Sequence, residues 1–121
     1  MAASSAGLHE PEDCLTNEVI DDHRAIVSIM EELEAIDWYT QRAQAASDPE
    51  LAAILVHNRD EEKEHAAMAL EWLRRRDAML DQHLRTYLFT SGSILEREAA
   101  AEASGASPDA GSLGIGDLRG T

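Results

Sequence analysis

Glu62 and His65 stand three apart in the run Arg59-Asp60-Glu61-Glu62-Lys63-Glu64-His65. On a helix that spacing brings both side chains to one face. The same face otherwise carries Leu51, Leu55, Ala69 and Trp72. A second acid, Glu32, sits between Ile29 and Ile36 on another apolar line. Burying an ionised carboxylate without a partner costs several kcal/mol, on the order of the net stability of a small domain. A metal cation is the simplest partner that neutralises such acids. An oxygen-rich ligand set with one imidazole suits iron or manganese. Periodicity alone leaves one choice open. Glu61 also lies on an apolar line, with Ile54, Asn58, His65 and Met68, and His57, Glu61 and His65, spaced by four, would make a different site.

These residues need long helices to carry them. From about Leu15 to Ala46, Val19, His23, Ile26, Met30 and Leu33 recur at steps of four and three, the signature of one helical stripe. Ile29, Glu32, Ile36 and Tyr39 form a second stripe, and no glycine or proline interrupts the segment. Ser47-Asp48-Pro49-Glu50 ends it and starts the next helix, either with Asp48 as cap and Pro49 as first helical residue, or with Ser47 and Glu50 as a capping box. So short a connection folds the second helix back antiparallel. That helix runs from about Pro49 past Arg76, with a bend expected near Asp77. A shorter helix is expected through Leu84 to Phe89, ending near Gly92. Ser93 and Glu96 set up a brief further helix over Ile94 to Ala103. Nothing reads as strand, so the class is all-α.

Composition narrows the function. The 121 residues allow one small domain and a tail, and the net charge of −14 disfavours nucleic acid and anionic membrane as partners while attracting cations. The single cysteine, Cys14, excludes an internal disulfide and a multi-cysteine zinc site. No apolar run approaches the roughly 20 residues that span a bilayer. The first residues lack the apolar core of a secretory signal. A cytoplasmic location is therefore expected.

Each long helix spans about 45 Å. A lone hairpin of that size leaves apolar faces uncovered and buries too little surface to stand alone. Two hairpins packed as a four-helix bundle would cover them. The ligand count points the same way. Di-iron carboxylate bundles take a glutamate from each of two helices and Glu-x-x-His from each of two more. This chain offers one of each kind, Glu32 and the pair Glu62 with His65, which is half a set.

The run Ile36-Asp37-Trp38-Tyr39, the block His57-Asn58-Arg59-Asp60-Glu61-Glu62-Lys63-Glu64-His65-Ala66-Ala67-Met68 and Glu71-Trp72-Leu73-Arg74-Arg75 closely resemble the encapsulated ferritins. The resemblance covers nearly the whole chain. It implies an antiparallel two-helix hairpin with a short C-terminal helix, dimerising into a ferritin-like bundle, with dimers building a ring-shaped decamer. It implies a di-iron ferroxidase site between subunits, with Glu32, Glu62 and His65 as ligands and Tyr39 close by. It settles the open choice in favour of Glu62. Glu31 and Glu34, beside Trp38, would form a site through which metal enters. Leu113-Gly114-Ile115-Gly116-Asp117-Leu118 resembles a cargo peptide that docks into an encapsulin shell. The implied division is a disordered N-terminus 1–12, a ferritin-like domain 13–96, a flexible linker 97–112 and a cargo-loading peptide 113–121, with residues 113–120 meeting the shell protein. The protein would then work inside an encapsulin nanocompartment in the cytoplasm, oxidising Fe²⁺ to Fe³⁺ while the shell holds the mineral.

Plainer readings stand beside these. Glu31 and Glu34 fit an exposed helix face, and Trp38 and Tyr39 fit packing aromatics. His23 fits an interface histidine, Cys14 has no base to activate it, and Arg74-Arg75-Arg76 complements a helix C-terminus. The rivals to an iron-oxidising enzyme are a non-catalytic divalent-metal binder using the same ligands and a helical dimer with no metal.

Overall fold

The computed structural model describes residues 6–105, and these are all-α. The carboxyl-terminal part of the expected linker, 106–112, and the cargo peptide 113–121 lie outside the described residues, as do residues 1–5. A 3₁₀ turn, Glu12–Cys14, precedes α1 (Asn17–Ala45), α2 (Pro49–Arg76), α3 (Ala78–Tyr87) and α4 (Ile94–Ala103). No strand occurs among the described residues. The chain divides into two compact units, Met1–Trp72 and Leu73–Thr121.

The first unit holds the antiparallel hairpin of α1 and most of α2. Thr16 opens α1, its hydroxyl accepting from the Val19 N–H at 3.1 Å. Asp48, not Ser47, opens α2: its carboxylate accepts from the Leu51 N–H at 2.9 Å, and Pro49 takes the first helical place where its missing N–H costs nothing. None of the described side chains is fully buried. Val19, Ile26, Met30 and Leu33 on α1, and Leu51, Ile54, Met68 and Trp72 on α2, all stay substantially open to water. Two helices cannot enclose a core between them, so each keeps a bare apolar face.

In the second unit the bend expected near Asp77 is a helix break. Asp77 leaves the helical conformation and caps α3, accepting from the Leu80 N–H at 2.9 Å. Asp81 then accepts from Arg74 and from Arg85 Nε, the latter at 2.9 Å. Partial burial pushes the Asp81 carboxyl up, but the hydrogen bonds and charges of Arg85 and Arg74 outweigh it and hold the group below its usual range. α3 stops at Tyr87 rather than reaching Phe89 as the sequence suggested, because Leu88 turns extended and Phe89 adopts φ +62°. A left-handed conformation costs a bulky residue about 1–2 kcal/mol. Gly92, at φ +86°, completes the connection without such strain. Ser93 caps α4 by accepting from the Glu96 N–H at 3.1 Å, half of the expected capping box. The stretch 97–112, read as a linker, is therefore helical as far as Ala103, and α3 and α4 pack together.

Candidate metal centre

The turn fixes the height of the site. Ser47 lies midway in the chain between Glu32 and Glu62. An antiparallel hairpin hinged there sets the two acids level on facing helices. The phase of α2 selects Glu62 for this position. Glu61 points elsewhere, toward His57, with Nε2 and Oε2 3.9 Å apart on the exposed side.

One ligand atom each from Glu32, Glu62 and His65 falls within 4.8 Å of the others, the one such group of three among the described residues. His65 Nδ1 lies 3.4 Å from Glu62 Oε1 and 3.7 Å from Glu32 Oε1. The imidazole thus faces both acids, one from its own helix and one from across the hairpin. The side chains are 43%, 25% and 23% exposed for His65, Glu62 and Glu32. A single chain presents this cluster on an open face, not in a closed pocket.

The two acids act on each other across the hairpin. The hydrogen bond to Glu62 holds the Glu32 carboxyl above the usual range, helped by partial burial and by the charges of Glu62 and Glu31, while His65 pulls the other way. The same hydrogen bond, received by Glu62, holds that carboxylate below its usual range, with His65 assisting against the effect of burial. Two carboxylates this close favour a cation between them. Hard oxygen donors with one imidazole fit iron or manganese.

The other expected site residues fall outside the cluster. Tyr39 lies two turns beyond Glu32 on α1, about 10 Å along the axis. It is half-buried, and the Arg42 guanidinium carbon sits 5.4 Å from its ring centre and 6.0 Å from that of Trp38. Only the three- and four-residue spacings to Arg42 signalled this contact in advance. Glu31, Glu34 and Trp38 occupy the exposed side of α1. Within one chain Glu31 and Glu34 gain no third ligand.

A helical hairpin bearing carboxylates and an imidazole at one height marks a ferritin-like protein. The chain belongs to the EncFtn-like family, whose model matches residues 7–91. It is 61% identical over 130 aligned positions to an encapsulated ferritin-like protein of Rhodospirillum rubrum, a match spanning 99% of this chain and 93% of that one. It is 51% identical over 111 positions to a ferritin-like protein of Thermotoga maritima, spanning 91% and 96%. The encapsulin nanocompartment cargo protein EncC of Myxococcus xanthus is 36% identical over 87 positions, spanning 68% and 67%. Among solved structures, protein ne0167 from Nitrosomonas europaea superposes with a TM-score of 0.71 at 59% identity, covering 73% of this chain and 97% of that one.

Proposed function

We propose that the protein is a ferroxidase whose di-iron site forms between two copies of the chain, and that it serves as cargo in an encapsulin shell. The observation that carries the reading is the convergence of Glu32, Glu62 and His65 from two helices onto one open face. Half of a di-iron ligand set is present, and one copy of the chain leaves it partly open to solvent. A second copy related by a twofold axis supplies the other half and covers the apolar stripes in the same step.

Ferrous iron is the substrate. Four carboxylates and two imidazoles from a pair of chains would hold two ions together, and anionic oxygens favour the ferric state. Each Fe²⁺ gives up one electron, so a pair reduces a two-electron acceptor such as oxygen or peroxide in one encounter. Any proton held on Glu32 leaves as the cation arrives, because only the carboxylate ligates. Tyr39 would stand near the site, and Glu31, Glu34 and Trp38 would gather metal at the surface, aided by the net charge of −14. A ring-shaped decamer of such dimers and docking through residues 113–120 complete the proposal. Support for the shell comes from the cargo relatives in Myxococcus xanthus.

Anaerobic protein mixed with Fe²⁺ and then exposed to oxygen tests the enzyme reading. Oxygen consumption should continue past two irons per dimer. A halt at two irons points instead to a metal binder. Replacing Glu62 and His65 by alanine should abolish the reaction, and unchanged oxidation in that variant would remove the site altogether.

A further inference from the structure

Three of the four methionines lie among the described residues, and all three stay open to water: Met68 at 58% exposure, Met79 at 45% and Met30 at 40%. Their exposures differ little, but their placement differs. Met79 is on α3, which carries no residue of the cluster. Met30 shares α1 with Glu32 but stands two residues before it, and side chains two apart on a helix do not face each other. Met68 stands three residues after His65 on α2. That spacing puts two side chains on one face with Cβ atoms about 5–6 Å apart. A long helical side chain leans back over the turn before it, which directs the Met68 thioether over the turn that holds His65.

A thioether is too soft to suit iron as a ligand. Its characteristic reaction is to accept an oxygen atom, becoming a sulfoxide. Two Fe²⁺ that each pass one electron to the same oxygen molecule, with uptake of two protons, yield two Fe³⁺ and one hydrogen peroxide. A sulfur lone pair then attacks one peroxide oxygen and the O–O bond breaks. That oxygen becomes the sulfoxide, the other leaves as water, and the sulfur loses the two electrons that the peroxide gains. Peroxide set free beside His65 meets Met68 at an effective concentration far above that in bulk water. Cover from a second copy would not shield the sulfur, because the oxidant arises on the same face.

We propose that Met68 is an oxidation site, accepting an oxygen atom from hydrogen peroxide formed at the metal centre and so sparing the His65 imidazole beside it. The proposal rests on the ferroxidase reading for its peroxide. Met68 itself holds no metal and takes no part in the oxidation of iron. The sulfoxide is open to enzymatic reduction, so the thioether can be restored without a new chain.

Peptide mass mapping of the full chain after repeated additions of Fe²⁺ in air reads the sulfoxide at each methionine. Met68 should carry at least about tenfold more than Met30 or Met79. Catalase in the mixture should suppress oxidation of Met30 and Met79 and leave that of Met68, because it removes only peroxide that has escaped. Hydrogen peroxide added to the metal-free protein should oxidise all three to similar extents, as their exposures require. Met68→Leu conserves side-chain volume, so it should keep the rate of the first turnover. It should then lose activity sooner over successive additions, with oxygen added at His65 instead. Oxygen consumption without an excess of sulfoxide at Met68 overturns the inference, as does the same excess with peroxide and no iron, or a Met68→Leu protein as durable as wild type. A wild type that consumes no oxygen with Fe²⁺ overturns the ferroxidase reading and this inference with it, so the two failures are told apart by the oxygen trace.

Discussion

Glu62→Gln keeps the size of the side chain and removes its charge, which makes it the sharpest probe of the cluster. In the metal-free protein Glu32 is held above its usual range first by the hydrogen bond with Glu62, then by partial burial and by the negative charge of Glu62. The variant removes that charge but also the interactions that hold Glu62 below its usual range, so the two effects oppose each other and the metal-free Tm should change little. Metal binding should suffer heavily, because in the proposed pair one substitution would change a ligand in both chains. Groups that merely support a ligand are worth about 10–100-fold in affinity, so loss of the carboxylate itself should cost at least about 100-fold. Linkage turns this into a stability signal. With Fe²⁺ under nitrogen at about 100 times the wild-type Kd, bound metal stabilises wild type by about 2.7 kcal/mol. The variant then sits near its own Kd and gains about 0.4 kcal/mol. For a domain of this size, thermal unfolding should show a metal-induced rise in Tm of about 10–20 °C in wild type and about 2–3 °C in Glu62→Gln. Equal shifts in the two proteins would refute Glu62 as a ligand. A large fall in Tm for the metal-free variant would refute the picture of two crowded acids.

Three further outcomes follow from the same structure. Glu32 in the folded chain keeps its proton to higher pH than in the unfolded chain, so the metal-free fold should lose stability as pH rises from the ordinary carboxylate value to the raised one, and Fe²⁺ binding in that window should release protons. Calorimetry in buffers of different ionisation enthalpy measures the release, and a heat independent of buffer contradicts it. Asp81→Asn should lower stability at neutral pH by about 1 kcal/mol or less, given partial exposure of the pair. Asp81 is held below its ordinary value, so its contribution is present above that value and disappears as pH falls through the lowered one; urea unfolding of both proteins across acid pH should show the difference vanish. Removing residues 112–121 should leave iron oxidation unchanged and end co-purification with a shell protein, which retention of the truncated chain in the shell would contradict.

The hairpin was legible because its signals are local. Asp48-Pro49 announces a helix start through one cap and one missing N–H, and the 3.6-residue stripes need no partner to be read. The choice between Glu61 and Glu62 was not legible from periodicity. Both fall within one helical step of an apolar line, and only the phase of α2 in the folded hairpin sets which one meets Glu32. The break at Asp77 was expected as a bend, since a cap and a kink leave the same mark in a row of helix formers. Phe89 gave no warning at all: neither glycine nor asparagine stands there to signal positive φ. The openness of the cluster was also hidden. Apolar neighbours suggested burial, but one copy of the chain cannot cover them.

In the proposed dimer each chain would bring one lone glutamate and one Glu-x-x-His to a shared centre. Output should therefore scale with the square of the fraction of intact subunits. If pairing is random, co-expressing equal amounts of wild-type and ligand-deficient chains leaves about one quarter of the pairs with both halves whole. A damaged copy would poison its partner, a dominant behaviour that a ferritin carrying its entire centre in one polypeptide escapes.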